Sequence, residues 1–207
     1  MVFLGEAPEF APSALDALRQ PLESGVITIS RAAATASFPA RFQLVLAANP
    51  CPCGNAGVRD AECSCSPFAR RRYLGRMSGP LLDRVDIQLD VPRVTAAQLR
   101  LSTQAPVTTS AAARARVVEA RDRAARRLAD QPWRLNAHAP GGWLRRDGAP
   151  ASGSTSALDR ALERGALTMR GYDRVLRLAW TLADLDGVER PGLDQLGRAL
   201  YLRKAAV

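Results

Sequence analysis

The first quarter of the chain carries its apolar residues in short runs, a pattern typical of buried strands. Two such runs, Met1–Leu4 and the mostly apolar Arg41–Asn49, predict strands of a parallel sheet, the second in a central position. Between them, Gly25–Ile29 and the segment led by Phe38–Phe42 predict a β-hairpin. A helix is expected over Ser13–Gln20, with its first residue as the cap.

A strictly alternating segment lies near the middle of the chain. In Val85–Val91 every second residue is apolar, and Asp86, Gln88 and Asp90 stand between them. A period of two places the apolar side chains on one face of an extended segment. The pattern predicts a half-exposed strand.

The second half of the chain has the spacing of helices. Ser110–Ala129 predicts a long Ala/Arg helix whose polar face is mostly solvated arginine. Three shorter segments also predict helices: Ala157–Arg164, Met169–Asp186 and Pro191–Arg203. Thr168 caps the second of these and Gly187 stops it, whereas the Gly/Pro/Ser-rich Pro140–Ser156 predicts a loop.

Composition limits the class of protein. With 207 residues and 47% hydrophobic content, the chain can bury one good core or two small ones. No apolar run approaches the ~20 residues of a membrane helix, and the N-terminus lacks the basic segment of a signal peptide. We expect a soluble cytoplasmic protein with no membrane partner.

A net charge of +9 favours partners that carry phosphate backbones. The alternative is that an Arg-rich composition reflects codon bias, since Lys204 is the single lysine. That lysine also follows no glycine-rich loop, so the chain contains no G-x-x-x-x-G-K-[ST] phosphate-binding loop.

Four cysteines form two C-x-C pairs, Cys51/Cys53 and Cys63/Cys65. Four thiolates closing on one tetrahedral Zn²⁺ would stabilise a polar loop that has too few apolar residues to fold by burial. Four free thiols or two disulfides are the alternatives, and the spacing departs from the commoner C-x₂-C pattern. An all-cysteine set leaves no open position for water, which favours a structural metal, and His138 is expected to lie on the surface.

Three stretches carry a family resemblance: LAANPCPCG, CSC and RRYLGRMSGPLLDRVDIQLDV, all within Leu46–Val91. With GEAPEF near the N-terminus and LADLDG at Leu182–Gly187, they resemble the Mg-chelatase-like AAA+ ATPases of the ComM/YifB type. The resemblance implies an α/β fold: the C-terminal part of an AAA+ P-loop NTPase core, with parallel strands, a hairpin and a Cys-rich insert, followed by an all-α lid. The implied division is a core over 1–93 with the zinc-type loop 51–65, a connecting long helix over 94–134, and the lid over 135–207.

The resemblance also implies roles for four residues. Glu6 matches the Walker B glutamate that activates water, and Asn49 matches the sensor 1 amide. Arg84 matches the arginine finger given to the neighbouring subunit's ATP, and Arg170 matches the sensor 2 arginine. Taken singly, Glu6 could be an exposed loop residue, Asn49 a turn former before Pro50, and Arg170 part of a solvated basic face.

Two departures from the family pattern bear on activity. Gly5 stands where the family has an aspartate that helps to hold Mg²⁺, and Trp180 stands where a basic residue is common. Because the P-loop that binds ATP/Mg²⁺ is also missing, we expect no ATP hydrolysis by the chain alone. The resemblance places that loop upstream of Met1, so the sequence is expected to be the C-terminal part of a larger protein or a gene that begins too late.

The family implies a hexameric, ring-forming homo-oligomer that moves branch points in single-stranded or branched DNA during recombination of incoming strands. The alternative is a degenerate, non-catalytic module, stabilised by zinc, that binds DNA or assists assembly. A subunit that inserts Mg²⁺ into porphyrin is the third possibility, and nothing in the sequence points to a tetrapyrrole.

Overall fold

The chain divides into two units, Met1–Val85 and Asp86–Val207, in a computed structural model that describes residues 1–31, 34–57, 62–102 and 108–204. The first unit contains four strands: β1 (Val2–Leu4), β2 (Val26–Arg31), β3 (Ala34–Pro39) and β4 (Leu44–Leu46). Its helices are α1 (Pro12–Ala17), α2 (Arg19–Ser24), α3 (Pro67–Leu74) and α4 (Gly79–Leu82).

Strands β1 and β4 pair in parallel, with Val2 opposite Leu44 and Leu4 opposite Leu46. The predicted strand at Arg41–Asn49 is therefore correct in kind but too long. Within the described residues it pairs with β1 on one side, so it is not central there. Ladder bonds end soon after Leu46 because the chain reaches Pro50, which has no N–H to donate.

The predicted hairpin is confirmed, with β2 and β3 antiparallel and Val26 opposite Pro39. Its second strand ends at Pro39 instead of continuing through Phe42, because the partner strand begins opposite it at Val26, directly after Gly25 with its left-handed φ of 69°. The predicted cap at Ser13 is wrong. Helix α1 begins at Pro12, which suits the first turn because that turn's N–H groups have no partner within the helix.

The strand predicted over Val85–Val91 is wrong, since that segment belongs to no strand in the described part of the chain. A strand needs a partner, and none of the described strands pairs with it. Ile87, Leu89 and Val91 are consequently 43%, 61% and 89% exposed.

All regular secondary structure in the described residues of the second unit is helical. Its helices are α5 (Ala96–Ser102), α6 (Ser110–Arg127), α7 (Gly141–Leu144), α8 (Ser156–Glu163), α9 (Met169–Asp186) and α10 (Leu193–Lys204). A short 3-10 turn, Asn136–His138, precedes α7. None of the described helices is long and apolar enough to cross a membrane.

Helix α9 is the centre of the second unit's core. It begins and ends where the sequence predicts: the Thr168 hydroxyl accepts the N–H of Gly171 at 3.0 Å, and Gly187 adopts φ 74°. Its buried face packs against residues of α8, α10 and the α7 region. The loop predicted over Pro140–Ser156 is wrong in part, because α7 forms there and buries Leu144 fully in this core.

Candidate functional site

The carboxyl ends of β1 and β4 lie side by side. The N–H of Ala47 donates to the carbonyl of Leu4 at 2.9 Å, and the N–H of Ala7 donates to the carbonyl of Ala47 at 2.8 Å. Glu6 directly precedes Ala7, and Asn49 follows Ala47 by two residues. The structure thus brings two of the predicted site residues to one edge of the sheet, and both are exposed there.

Glu6 has an unusual backbone. It adopts φ 55° and ψ 46°, the left-handed conformation, and is the one described non-glycine residue with positive φ. Its carbonyl accepts the N–H of Glu9 at 2.8 Å, which closes a short 3-10 turn over Ala7–Glu9. Strain of this kind is concentrated at functional sites, so the conformation supports a role for Glu6 beyond folding.

Tyr73 of α3 lies behind this edge and is 5% exposed. Burial and the negative charge of Glu9 raise the pKa of its phenol, and a backbone hydrogen bond from Asn49 partly offsets them. Three residues later, Arg76 Nη1 donates to the Pro8 carbonyl at 2.9 Å and lies 3.4 Å from Glu9 Oε2. The end of α3 therefore contacts the segments that follow both strands.

The four cysteines meet in one cluster, with all four Sγ atoms within 4.8 Å of one another. Cys51 Sγ lies 3.4 Å from Cys53 Sγ and 3.7 Å from Cys63 Sγ, and the last two are 3.6 Å apart. A tetrahedral ion with metal–sulfur bonds of about 2.3 Å places its sulfur ligands about 3.8 Å apart. The cluster thus has the donor set and the spacing to hold a metal ion.

The thiols of the cluster differ in acidity. A backbone hydrogen bond from Asn55, followed by the Cys51 thiol, lowers the pKa of Cys53 to about 6. For Cys65, burial and hydrogen bonding to its neighbours outweigh a backbone hydrogen bond from Cys53, and its pKa is raised to about 11. Four sulfur atoms this close cannot all ionise without a cation, and a metal supplies that charge.

Arg84 is held within its own unit. Its Nη2 lies 2.5 Å from Glu23 Oε2, its Nη1 donates to the Pro80 carbonyl at 2.7 Å, and its side chain is 11% exposed. Nearby, the Ser78 hydroxyl donates to Asp16 Oδ1 at 2.6 Å and caps α4. The guanidinium of Arg84 would have to exchange its carboxylate partner for any other anion.

Arg170 belongs to the second unit, where it is exposed in the first turn of α9. The other predicted site residues lie in the first unit. His138 is exposed, as the sequence predicts.

Trp180, the second departure from the family pattern, has a packing role. Its ring is 3% exposed, its Nε1 donates to the Gly148 carbonyl at 2.9 Å, and the guanidinium of Arg127 lies 4.0 Å from the ring centroid. Arg127 also forms a two-pronged ion pair with buried Asp184, which accepts from Asn136 at 2.8 Å as well.

Sequence reasoning missed the residues that support the site, namely Tyr73, Arg76 and Glu23. Tyr73 gave one usable signal: it is an aromatic residue among the arginines of RRYLGR, a place where an uncharged side chain marks the buried face of a helix. No such signal marks Glu23, which meets Arg84 across 61 residues of sequence.

Comparison with known proteins agrees with this architecture. The family model described as magnesium chelatase, subunit ChlI, matches residues 1–99, and the model of its C-terminal part matches residues 107–203. An uncharacterized protein of Mycobacterium tuberculosis is 47% identical over 204 residues, which are 99% of this chain and 40% of the relative. Competence protein ComM of Haemophilus influenzae is 40% identical over 204 residues, 98% of this chain and 38% of the relative.

A third relative, the uncharacterized YifB of Escherichia coli, is 39% identical over 186 residues, 90% of this chain and 35% of its own length. The chain thus spans about two fifths of the length of the curated relatives it matches. Parallel strands with polar residues at their carboxyl edge, followed by a helical unit, agree with the α/β fold of the AAA+ class to which this family belongs. The chain belongs to the magnesium chelatase ChlI family, which confirms the resemblance to ComM and YifB.

Proposed function

We propose that the chain forms part of a ring-shaped AAA+ ATPase that uses ATP to move branch points in DNA. The observation that carries the proposal is the pairing of Ala7 with Ala47, which sets Glu6 and Asn49 at one strand edge. The relative named competence protein ComM supports a role with incoming DNA. In this assignment Glu6 and Asn49 position the attacking water, Arg84 reaches a neighbouring subunit's nucleotide, and Arg170 links nucleotide to lid.

The chain by itself does not fit ATP and Mg²⁺. It has no P-loop lysine, and Gly5 offers no carboxylate for the metal shell. We therefore expect the 207 residues alone to show no ATP hydrolysis above background. An in-frame G-x-x-x-x-G-K-[ST] upstream of Met1 in the genome would supply the missing part.

The ATPase assignment is tested by joining the upstream portion of the M. tuberculosis relative to this chain. We expect Mg²⁺-dependent ATP hydrolysis that Arg84→Ala abolishes and Arg164→Ala, at the exposed end of α8, does not. A second inactive variant loses its P-loop lysine but keeps Arg84. Mixing the two inactive variants should restore turnover, because an intact arginine then serves a neighbour's intact site. Mixed rings without turnover would contradict a role for Arg84 across subunits.

We propose that the cysteine cluster holds one structural zinc ion. An all-thiolate, tetrahedral donor set suits Zn²⁺ and leaves no open position for water. Bound zinc would supply charge and a cross-link, and no reaction step. The negative charge of Cys51, Cys53, Cys63 and Cys65 would then be partly offset, without disulfides.

DNA contact is proposed from the distribution of charge. The net charge is +9, and α6 alone carries six arginines, of which Arg114, Arg116, Arg121 and Arg126 are exposed. Phosphate contacts predict sequence-independent affinity that falls steeply with salt. Titration of labelled single-stranded and branched DNA at several salt concentrations measures this. An affinity for DNA that does not change with salt concentration, or no binding at low salt, would contradict the DNA assignment.

The second candidate function is a non-catalytic, metal-stabilised module that binds DNA or joins a complete homologue. The glycine at position 5 favours it, since that position lacks the family's metal-binding carboxylate. A joined protein that forms rings and binds DNA without hydrolysing ATP would support this candidate.

A further inference from the structure

The cysteine cluster and the Glu6/Asn49 edge share one connecting helix, α3. Cys51 lies two residues after Asn49, and Cys65 lies two residues before α3 begins at Pro67. The four cysteines therefore close the loop that leads from the end of β4 into this helix.

The first turn of α3 is attached to the cluster. Arg70 Nε donates to the carbonyl of Cys65 at 3.2 Å, and the Ser66 hydroxyl accepts the N–H of Ala69 at 3.1 Å as the helix cap. Cys51 is fully buried, and it is the one buried residue among the described members of the loop, 51–57 and 62–65. With so little apolar burial, the loop depends on cross-linking for its conformation.

The last turn of α3 is attached to the sheet edge. Buried Tyr73 lies beside the Asn49 backbone, which partly offsets the rise in the pKa of its phenol, and Arg76, just beyond the helix, donates to the Pro8 carbonyl at 2.9 Å. Pro8 follows Ala7, whose N–H donates to the Ala47 carbonyl at 2.8 Å, so the Arg76 contact reaches both strand ends. About two turns of helix thus separate the thiols from the residues that position Glu6 and Asn49.

We propose that metal occupancy of the cysteine cluster sets the geometry of the Glu6/Asn49 edge through α3, with Tyr73 and Arg76 as positioning residues. The proposal rests on the proposed zinc site, and it makes the cluster a control element as well as a structural one. A metal-loaded cluster fixes the start of α3, and α3 in turn fixes the two strand ends. Metal loss releases them.

The test is hydrogen–deuterium exchange on the full 207-residue chain, zinc-loaded and chelator-stripped, with zinc content measured in both samples. The reporters are the amides of Ala7 and Ala47, whose hydrogen bonds join the strand ends. We expect stripping to speed their exchange about tenfold or more. Amides of the β2–β3 hairpin and of α9 serve as controls and should change little.

Tyr73→Phe and Arg76→Ala separate positioning from metal binding. Each should speed exchange at Ala7 and Ala47 in the zinc-loaded chain, while zinc stays at one per chain. Arg72→Ala, on the exposed side of the same helix, should change neither the exchange at Ala7 and Ala47 nor the zinc content.

Three results would overturn the proposal. They are equal exchange of the reporters in the loaded and stripped chain, release of the hairpin as large as that of the strand ends, and a chain that binds no zinc. The first two results leave the zinc site intact and reject the coupling, whereas the third rejects both. None of these results depends on ATP turnover, so failure of this proposal can be distinguished from failure of the ATPase assignment.

Discussion

The two units of the chain are stabilised in different ways. In the second unit, α9 places seven buried residues in one core: Tyr172, Val175, Leu176, Ala179, Trp180, Leu182 and Ala183. In the described part of the first unit, the buried apolar side chains are few and scattered along the sequence, among them Leu15, Tyr73 and Leu81. Phe3, on β1, is 60% exposed.

Polar contacts stabilise the first unit, whereas burial of apolar side chains stabilises the second. Ser78 bonds Asp16, Arg84 pairs with Glu23, and the cysteine cluster closes a loop. Such contacts are directional and can be released by an ion or a competing anion, whereas apolar burial is not. The first unit is therefore the part whose stabilising contacts can be released, and the second unit is the part that apolar burial holds rigid.

The largest expected effect is the loss of a cluster ligand. Cys51→Ser removes a fully buried thiolate, and structural zinc contributes about 10–16 kcal/mol of apparent binding free energy in small zinc domains. We expect the thermal transition of the first unit to move to a lower temperature, while the transition of the helical second unit stays where it is. Calorimetry with circular dichroism measures both. Ser64→Ala, an exposed neighbour, is the control, and a first unit that melts normally in Cys51→Ser would refute the dependence on metal.

The next effect is expected in the second unit. Asp184→Ala leaves the half-buried guanidinium of Arg127 without its carboxylate, and breaking a buried pair costs about 3–5 kcal/mol. Urea unfolding of the helical unit should show this loss. Glu119→Ala, which removes a 65%-exposed partner of Arg123, should cost about 0.5 kcal/mol or less. Equal costs for the two variants would show that burial does not distinguish these pairs.

A smaller effect is expected at the start of α9. Thr168→Ala removes the hydroxyl that accepts the Gly171 N–H, and loss of such a cap costs about 1 kcal/mol. The same unfolding experiment measures it, and Thr168→Ser should restore most of the stability. If Thr168→Ala were as stable as the parent, the cap would not define this helix end.

The smallest effect appears only at high pH. Burial, followed by the hydrogen bond to Asp159, raises the pKa of Tyr172 to about 12 from the ordinary tyrosine value of 10.0. The folded state then keeps a proton that the unfolded state releases, so this contribution to stability is present below pH 10 and is lost as pH rises toward 12. Absorbance titration of the tyrosines should show a late step that Tyr172→Phe removes and Tyr201→Phe does not. A titration curve whose late part is the same with and without Tyr172→Phe would contradict this environment.

Local signals explain what could be predicted from sequence. Helix α9 begins after Thr168 and ends before Gly187 because a cap and a left-handed glycine act within one turn. The cysteine cluster could likewise be predicted, since two C-x-C pairs close in sequence can bring four thiols to one tetrahedral ion. The strand expected at Val85–Val91 depends on a partner strand, which the alternation of its own residues cannot specify.

The supporting residues of the candidate site are non-local for the same reason. Arg76 contacts Pro8 across 68 residues of sequence, and the sequence around neither residue indicates this contact. The α7 helix was missed because its glycines and prolines favour a loop locally, while burial of Leu144 decides the outcome.

The contrast between the two units depends most on whether the thiols hold an ion. Native mass spectrometry of the reduced, purified chain counts bound metal directly. The account predicts one zinc ion per chain, lost together with the exchange protection of Ala7 and Ala47 when a chelator is added. Less than about half an equivalent of zinc, with all four thiols reduced and the first unit still folded, would contradict it.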